Sequence, residues 1–262
     1  MPELPDVEIF KKYMDATSLH QKIKDISVEN SKVLDSISPQ KLNKLLKNHS
    51  FESTVRHGKY LFAKTGDNAC LVLHFGMTGS LKYFKNQEQA DEYIRVLFTF
   101  TNGYHLGYVS QRMLGRVGVT ESVEKYMEKQ KLGPDALNIK YDDFKGIFDR
   151  SRGAVKTTLM NQNLIAGIGN IYADEILFQS KIHPNTPVGK LDGKATEILF
   201  HNIRKILNKA VKYHANPAEF PDSYLLPNRN EGQSCPVCRG KIKTIKISGR
   251  TAYFCPTCQA QA

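Results

Sequence analysis

The chain has 262 residues and carries 37 Lys and Arg against 26 Asp and Glu, a formal net charge of +11. That length suffices for two domains with separate cores, and the charge favours a polyanionic partner. No apolar run reaches the roughly 18 residues of a membrane span and the polar, acidic start is unlike a secretory signal, so the expectation is a soluble, cytoplasmic chain with no membrane partner.

The opening Met1-Pro2-Glu3-Leu4-Pro5-Asp6-Val7-Glu8 points to chemistry as well as structure. Removal of Met1 is expected before a residue as small as proline, and it leaves Pro2 with a free secondary amine. Such an amine attacks a sugar aldehyde carbon and forms an iminium ion that is positive without needing a proton. An α-amino group titrates near pH ~8, so an appreciable fraction is nucleophilic at neutral pH. Glu3 sets a carboxyl group one residue away, where a general acid is useful. Taken alone, these two residues are better explained by an ordinary Met-Pro start. Pro5 predicts the first turn of a helix whose positive end attracts Asp6 and Glu8. Val7, Phe10 and Met14 follow at helical spacing, so the terminus is expected to be anchored.

Residues 20 to 118 read as strands broken by turns. The runs Ile23 to Val28, Phe51 to Val55, Tyr60 to Lys64, Leu71 to Phe75, Ile94 to Phe100 and Tyr104 to Val109 are rich in β-branched and aromatic residues. Asn102-Gly103 signals a hairpin. A helix is predicted over Pro39 to Asn48, capped by Ser38, with Leu42, Leu45 and Leu46 on one face. This half is expected to be an antiparallel two-sheet sandwich or barrel with flanking helices.

Beyond Thr120 the pattern becomes helical, over Val123 to Lys131, Tyr141 to Phe148, Val155 to Gln162, Asn170 to Ser180 and Asp192 to His214. Gly133-Pro134-Asp135 breaks the chain near the junction. Residues 215–234 read as a connecting loop. Cys235, Cys238, Cys255 and Cys258 then form two Cys-x-x-Cys pairs separated by residues 239–254, the spacing of a tetrahedral four-cysteine zinc site. Cys70, inside an apolar run, reads as a buried core thiol. The expected division is 1–120, 121–230 and 231–262, an α+β multidomain chain.

Several loops carry candidate chemistry. Lys59, in Arg56-His57-Gly58-Lys59-Tyr60, suits a phosphate contact or a proton donor, or is a solvated strand-end lysine. In His74-Phe75-Gly76-Met77-Thr78-Gly79, Met77 is either an apolar wedge for a base stack or a side chain folded back on the sandwich. Ser110 to Arg116 offers Arg112 to a base edge and Leu114 to the space of a stacked base, or is a basic surface loop. At Gly167-Ile168-Gly169-Asn170 the amides of a helix start, with Asn170, suit a phosphate, although a plain turn and cap fits as well. Arg250 stands at a hairpin turn, Ser248-Gly249, inside the zinc module.

Taken in order, these motifs run along nearly the full length: Pro2 to Glu8, Gly58 to Leu61, His74 to Gly79, Arg112 to Gly115, Gly167 to Glu175, and the four cysteines with Ser248-Gly249-Arg250-Thr251. On them the chain resembles the formamidopyrimidine-DNA glycosylase family, the Fpg and Nei group of base-excision repair enzymes. The resemblance implies an N-terminal antiparallel β-sandwich, a C-terminal helical domain with a helix-two-turn-helix, and a four-cysteine zinc ribbon holding one structural Zn2+. It also implies a bifunctional glycosylase and AP lyase acting on damaged double-stranded DNA; a monomer is expected separately, since no exposed apolar repeat or heptad announces a partner. Pro2 would be the Schiff-base nucleophile, Glu3 the acid that opens the sugar, and Lys59 and Arg250 the proton donors for β- and δ-elimination. Asn170 and Arg152 would bind phosphates, and His74 lies in a DNA-contacting motif. Met77, Arg112 and Leu114 would fill the void left by the everted nucleotide.

Three departures stand out. Asp6 replaces the usual Glu. Leu114 replaces a Phe and cannot stack as a ring does. The segment 215–234 looks shorter than the one that folds over 8-oxoguanine in purine-specific members, which places formamidopyrimidines ahead of 8-oxoguanine. Two alternatives stay open: a Nei-like glycosylase for oxidised pyrimidines, and a catalytically inactive damage-binding protein.

Overall fold

The β-rich stretch forms two four-stranded sheets in which every neighbouring pair is antiparallel. One has the order β1-β6-β7-β5, made of β1 (Ile23–Val28), β5 (Gly79–Phe84), β6 (Ile94–Phe100) and β7 (His105–Ser110). The other has the order β2-β3-β4-β8, made of β2 (Phe51–His57), β3 (Tyr60–Thr65), β4 (Cys70–His74) and β8 (Arg116–Thr120). Phe98, Leu106 and Tyr108 of the first sheet share a core with Leu61, Leu71 and Leu73 of the second. Val7 and Met14 of α1 (Leu4–Thr17) and Leu42 and Leu46 of α2 (Pro39–Leu46) complete it. The computed structural model describes residues 2–66 and 69–259; Met1, whose removal the sequence anticipates, lies outside the described residues.

Local chemistry explains these elements. Ser38 Oγ accepts from Lys41 N ahead of α2, and Pro39 occupies the first turn, where its missing N–H costs nothing. Asn102-Gly103 closes β6 onto β7 as expected. Two strands go beyond the expected set, β5 and β8. Each starts at the edge of a glycine-containing loop, and Gly118 interrupts the apolar run of β8.

Cys70 to Leu73 are buried without alternation, because their sheet is covered on both faces. Leu71 and Leu73 face the shared core, while Cys70 and Val72 pack with Phe62 under Val123 and Tyr126 of α3 (Val123–Lys129). Helix α3 therefore belongs with the sheets. The chain divides into one unit of Pro2 and Asp6–Lys131 and another of Glu3–Pro5 and Leu132 onward, so the first unit extends past residue 120. Burial pushes the Cys70 thiol up to about 12, which suits an inert core residue.

The second unit is built from α4 (Tyr141–Arg150), α5 (Val155–Met160), α6 (Asn170–Gln179) and α7 (Gly193–Lys212). Helix α6 is buried at every position from Tyr172 to Phe178, the mark of a central helix. Helix α7 is amphipathic, burying Leu199, Ile203, Ile206 and Leu207, and Asp192 caps it by accepting from Ala195 N at 2.7 Å. The segment 215–234 is more than a connection: Phe220 and Tyr224 enter the helical core, and Leu225 packs with Phe178, Cys235, Ile242 and Cys255. The hairpin β9 (Lys243–Ile247) and β10 (Arg250–Phe254) follows. Among the described residues no helix is long and apolar enough to cross a membrane.

Candidate active site and nucleic-acid contacts

In the second unit the site begins with Glu3, whose side chain has no solvent exposure. Its carboxylate accepts three backbone N–H groups at the start of α6: Gly169 N at 2.8 Å, Ile171 N at 2.8 Å and Tyr172 N at 3.3 Å. The helix start does bind an anion, but the anion is Glu3 rather than a phosphate. This corrects the expectation that these amides await DNA. A Cβ on Gly169 would stand 2.3 Å from Glu3 Cδ, so glycine is required there by the arrival of Glu3. Leu4 N donates to Gly167 O at 3.1 Å, and Leu4 is buried in the helical core. The Gln162 side chain braces the same turn, accepting from Gly167 N at 2.9 Å and donating to Ile168 O at 2.8 Å. Pro2 itself is half-buried.

Asn170 is half-buried at the head of α6, and its Oδ1 is buried without a hydrogen-bond partner. Arg152 is exposed between α4 and α5. Arg250 is exposed and opens β10 directly after Ser248 and Gly249, both at positive φ. It shares with Lys156, Met160 and Ile247 a cavity of about 260 Å³. The four zinc-spaced cysteines converge, their Sγ atoms all within 4.8 Å of one another, with Cys235–Cys258 at 3.7 Å and Cys238–Cys255 at 3.5 Å. A Zn–S bond of about 2.3 Å in tetrahedral geometry separates the sulfurs by about 3.8 Å, so the set fits one ion and leaves no ligand position open.

In the first unit, Gly58 and Lys59 form a two-residue turn between the paired His57 and Tyr60. Gly58 adopts φ +56°, so the glycine serves the turn. Arg56, buried beside it, donates to Glu8 Oε2 at 2.7 Å and to Gly58 O at 3.2 Å. Glu8 thus anchors α1 to the turn that carries Lys59. His74 closes β4 opposite Tyr60 and Arg116, with its ring 4.9 Å from that of Tyr60. Burial first, then the charges of Lys59 and Arg116, lower its pKa to about 4, so the imidazole is neutral at physiological pH.

Met77 and Leu114 are 41% and 46% exposed, and Arg112 is exposed beside them. Met77 therefore does not fold back onto the sandwich. The two loops are joined at their bases. Tyr108 Oη donates to His74 O at 2.7 Å, and a Cβ on Gly115 would lie 1.8 Å from that hydroxyl. Arg112 N donates to Thr78 Oγ1 at 3.4 Å, while Arg95 Nε donates to Ser110 O at 3.0 Å. Met113, at φ +51°, packs toward the core and leaves Leu114 outward. Sequence reasoning missed Tyr108, Arg95 and Gln162, since a lone polar residue in a strand or turn carries no periodic signal.

Comparison with known proteins supplies the family context. Residues 1–117 match the model of the formamidopyrimidine-DNA glycosylase N-terminal domain, residues 132–221 that of its H2TH domain, and residues 232–261 that of the zinc finger found in FPG and IleRS. A formamidopyrimidine-DNA glycosylase of Mycoplasma genitalium is 36% identical, over 99% of this chain and 96% of its own. That of Ligilactobacillus salivarius is 34% identical over 99% of both. Among solved structures, Lactococcus lactis Fpg in complex with abasic-site DNA superposes with a TM-score of 0.90 at 28% identity, covering 99% of this chain and 100% of that one. A MutM complex with DNA containing carbocyclic 8-oxo-G gives 0.89 at 28% identity with the same coverage.

Proposed function

The chain belongs to the formamidopyrimidine-DNA glycosylase family, and from that membership and its N-terminal chemistry we propose a bifunctional DNA glycosylase and AP lyase acting through the Pro2 amine. The carrying observation is the seat of Glu3: one residue after the amine, a solvent-free carboxylate is fixed by three backbone donors. Pro2 nitrogen bonds to C1′ as the damaged base leaves with the glycosidic electron pair. The proton displaced from nitrogen passes to Glu3, which returns it to O4′ as the sugar ring opens to the iminium. Water takes the C2′ proton as the 3′ phosphate leaves with the C3′–O electron pair. Loss of a second proton, from C4′, expels the 5′ phosphate in the same way, and addition of water to the iminium carbon breaks its bond to nitrogen and frees the Pro2 amine. Lys59 and Arg250 are the assigned proton donors for these steps.

Damaged double-stranded DNA is the assigned partner, bound by a monomeric, cytoplasmic chain. Met77, Arg112 and Leu114 would occupy the space of the everted nucleotide, an assignment supported by two exposed apolar tips on loops that are fixed at their bases. Asn170, whose side-chain oxygen is buried without a hydrogen-bond partner, and Arg152 are assigned to phosphates. Formamidopyrimidines are the proposed lesion class. Zinc is structural and supplies no reacting water.

Borohydride trapping on duplexes containing formamidopyrimidine, 8-oxoguanine, dihydrouracil or an abasic site tests this reading. A covalent adduct with the native chain, absent in Pro2→Gly, is expected, and adduct yields rank the lesions. Tight binding without an adduct on any duplex, the abasic one included, would make the chain a damage-binding protein.

A further inference from the structure

Three charged side chains meet inside the second unit, outside the groups assigned to the reaction. Lys156 on α5 is 1% exposed and Asp174 on α6 is 0% exposed, and Lys156 Nζ donates to Asp174 Oδ1 at 2.6 Å. Arg229, 17% exposed, donates to the other carboxylate oxygen twice, from Nε at 3.0 Å and Nη2 at 2.7 Å. Both cations also touch the zinc hairpin. Lys156 Nζ donates to the Thr251 carbonyl at 3.2 Å, and the Arg229 guanidinium lies 4.4 Å from the centre of the Tyr253 ring. One carboxylate on the central helix thus holds two cations that grip β10 at two points. A third tie joins Thr157 Oγ1 to Ser248 Oγ at 3.1 Å.

Such a triad is a poor device for stability alone, since desolvating the charges offsets much of their attraction and apolar side chains of similar volume commonly do as well. Its advantage is definition: charge-assisted bonds are short and directional. The residue whose position they define is Arg250, one residue before Thr251 and lining the same cavity as Lys156.

We infer that Lys156, Asp174 and Arg229 are positioning residues for Arg250, locking the zinc hairpin to α5 and α6 so that its guanidinium is presented at one place. The inference rests on the proposed action of Arg250 at the DNA backbone. A displacement of about 1 Å in a reacting group costs up to about a hundredfold in rate, and losing one of the three tethers is expected to reach at least about tenfold of that.

The test is single-turnover cleavage of an abasic duplex by the zinc-loaded full chain, resolving β- from β,δ-elimination products. Arg250→Ala, Lys156→Met and the double variant are compared, with zinc content measured for each. Arg250→Ala should lower the δ-elimination rate, Lys156→Met should lower the same rate by at least about tenfold, and the double variant should be no slower than Arg250→Ala. A purely structural Lys156 would instead give losses that multiply, which would overturn the inference. No effect of Arg250→Ala would overturn the reading of Arg250 and the inference with it. Lys156→Gln, whose amide can still donate toward Thr251 O, serves as the milder variant and should show a smaller, equally non-additive loss. If neither Lys156 variant retains zinc, the triad is a folding element and the inference fails.

Discussion

Replacing Glu175 by Gln should flatten the dependence of stability on pH. Glu175 lies on α6 without solvent exposure, accepts from Leu226 N at 2.7 Å and from Gln179 Nε2 at 2.8 Å, and so pins the 223–226 turn to the helix. Burial, aided by the charge of Asp174, pushes its pKa from the ordinary 4.5 to about 7, against the hydrogen bonds from Gln179, Leu226 and Leu225. Between those values the folded chain keeps a proton that the unfolded chain has released. The corresponding stability is therefore present in full below about pH 4.5, declines as pH rises, and is gone above the folded value near 7. The interval corresponds to about 3 kcal/mol. Glutamine keeps an acceptor for Leu226 and never ionises, so urea unfolding of both proteins from pH 4.5 to pH 8 should show the variant gaining about 3 kcal/mol relative to the native chain. Parallel profiles would mean that Glu175 is charged throughout, and would refute the argument from burial.

Gly169→Ala places a methyl group against the Glu3 carboxyl carbon and should slow excision by about a hundredfold with little change in affinity for a non-cleavable abasic duplex. Native single-turnover rates in that variant would refute the claim that Glu3 must sit on the α6 amides. Stripping the metal with a chelator should abolish DNA affinity while the sandwich unit stays folded, because its core contains no residue of the four-cysteine cluster. Full affinity at zero metal, measured by fluorescence anisotropy, would refute a structural role for zinc in binding.

Patterns with short periods were legible in the chain itself. Enrichment in β-branched and aromatic residues, with turn chemistry, placed six of the strand runs and the Asn102-Gly103 hairpin, because side-chain shape and backbone sterics act over a few residues. Helical patterning placed α2 with its cap Ser38 and the stretch that became α7, and the Cys-x-x-Cys pairs marked a site that the fold then closed. Pro2 and Glu3 stood out in the sequence only as candidates, a terminal secondary amine beside a carboxyl group, and the anchoring helix that follows was what raised them above an ordinary Met-Pro start.

Tertiary structure decided what those groups touch. Glu3 finds its donors at Gly169, Ile171 and Tyr172, and no local signal links positions so far apart. Lys156, Asp174, Glu175 and Arg229 read as ordinary polar positions, yet three of them are almost fully buried and all are satisfied by partners distant in sequence. Short-range patterning reports which way a side chain points; the free energy of burying a charge depends on every neighbour that closes around it, and those neighbours are assembled only when the chain folds.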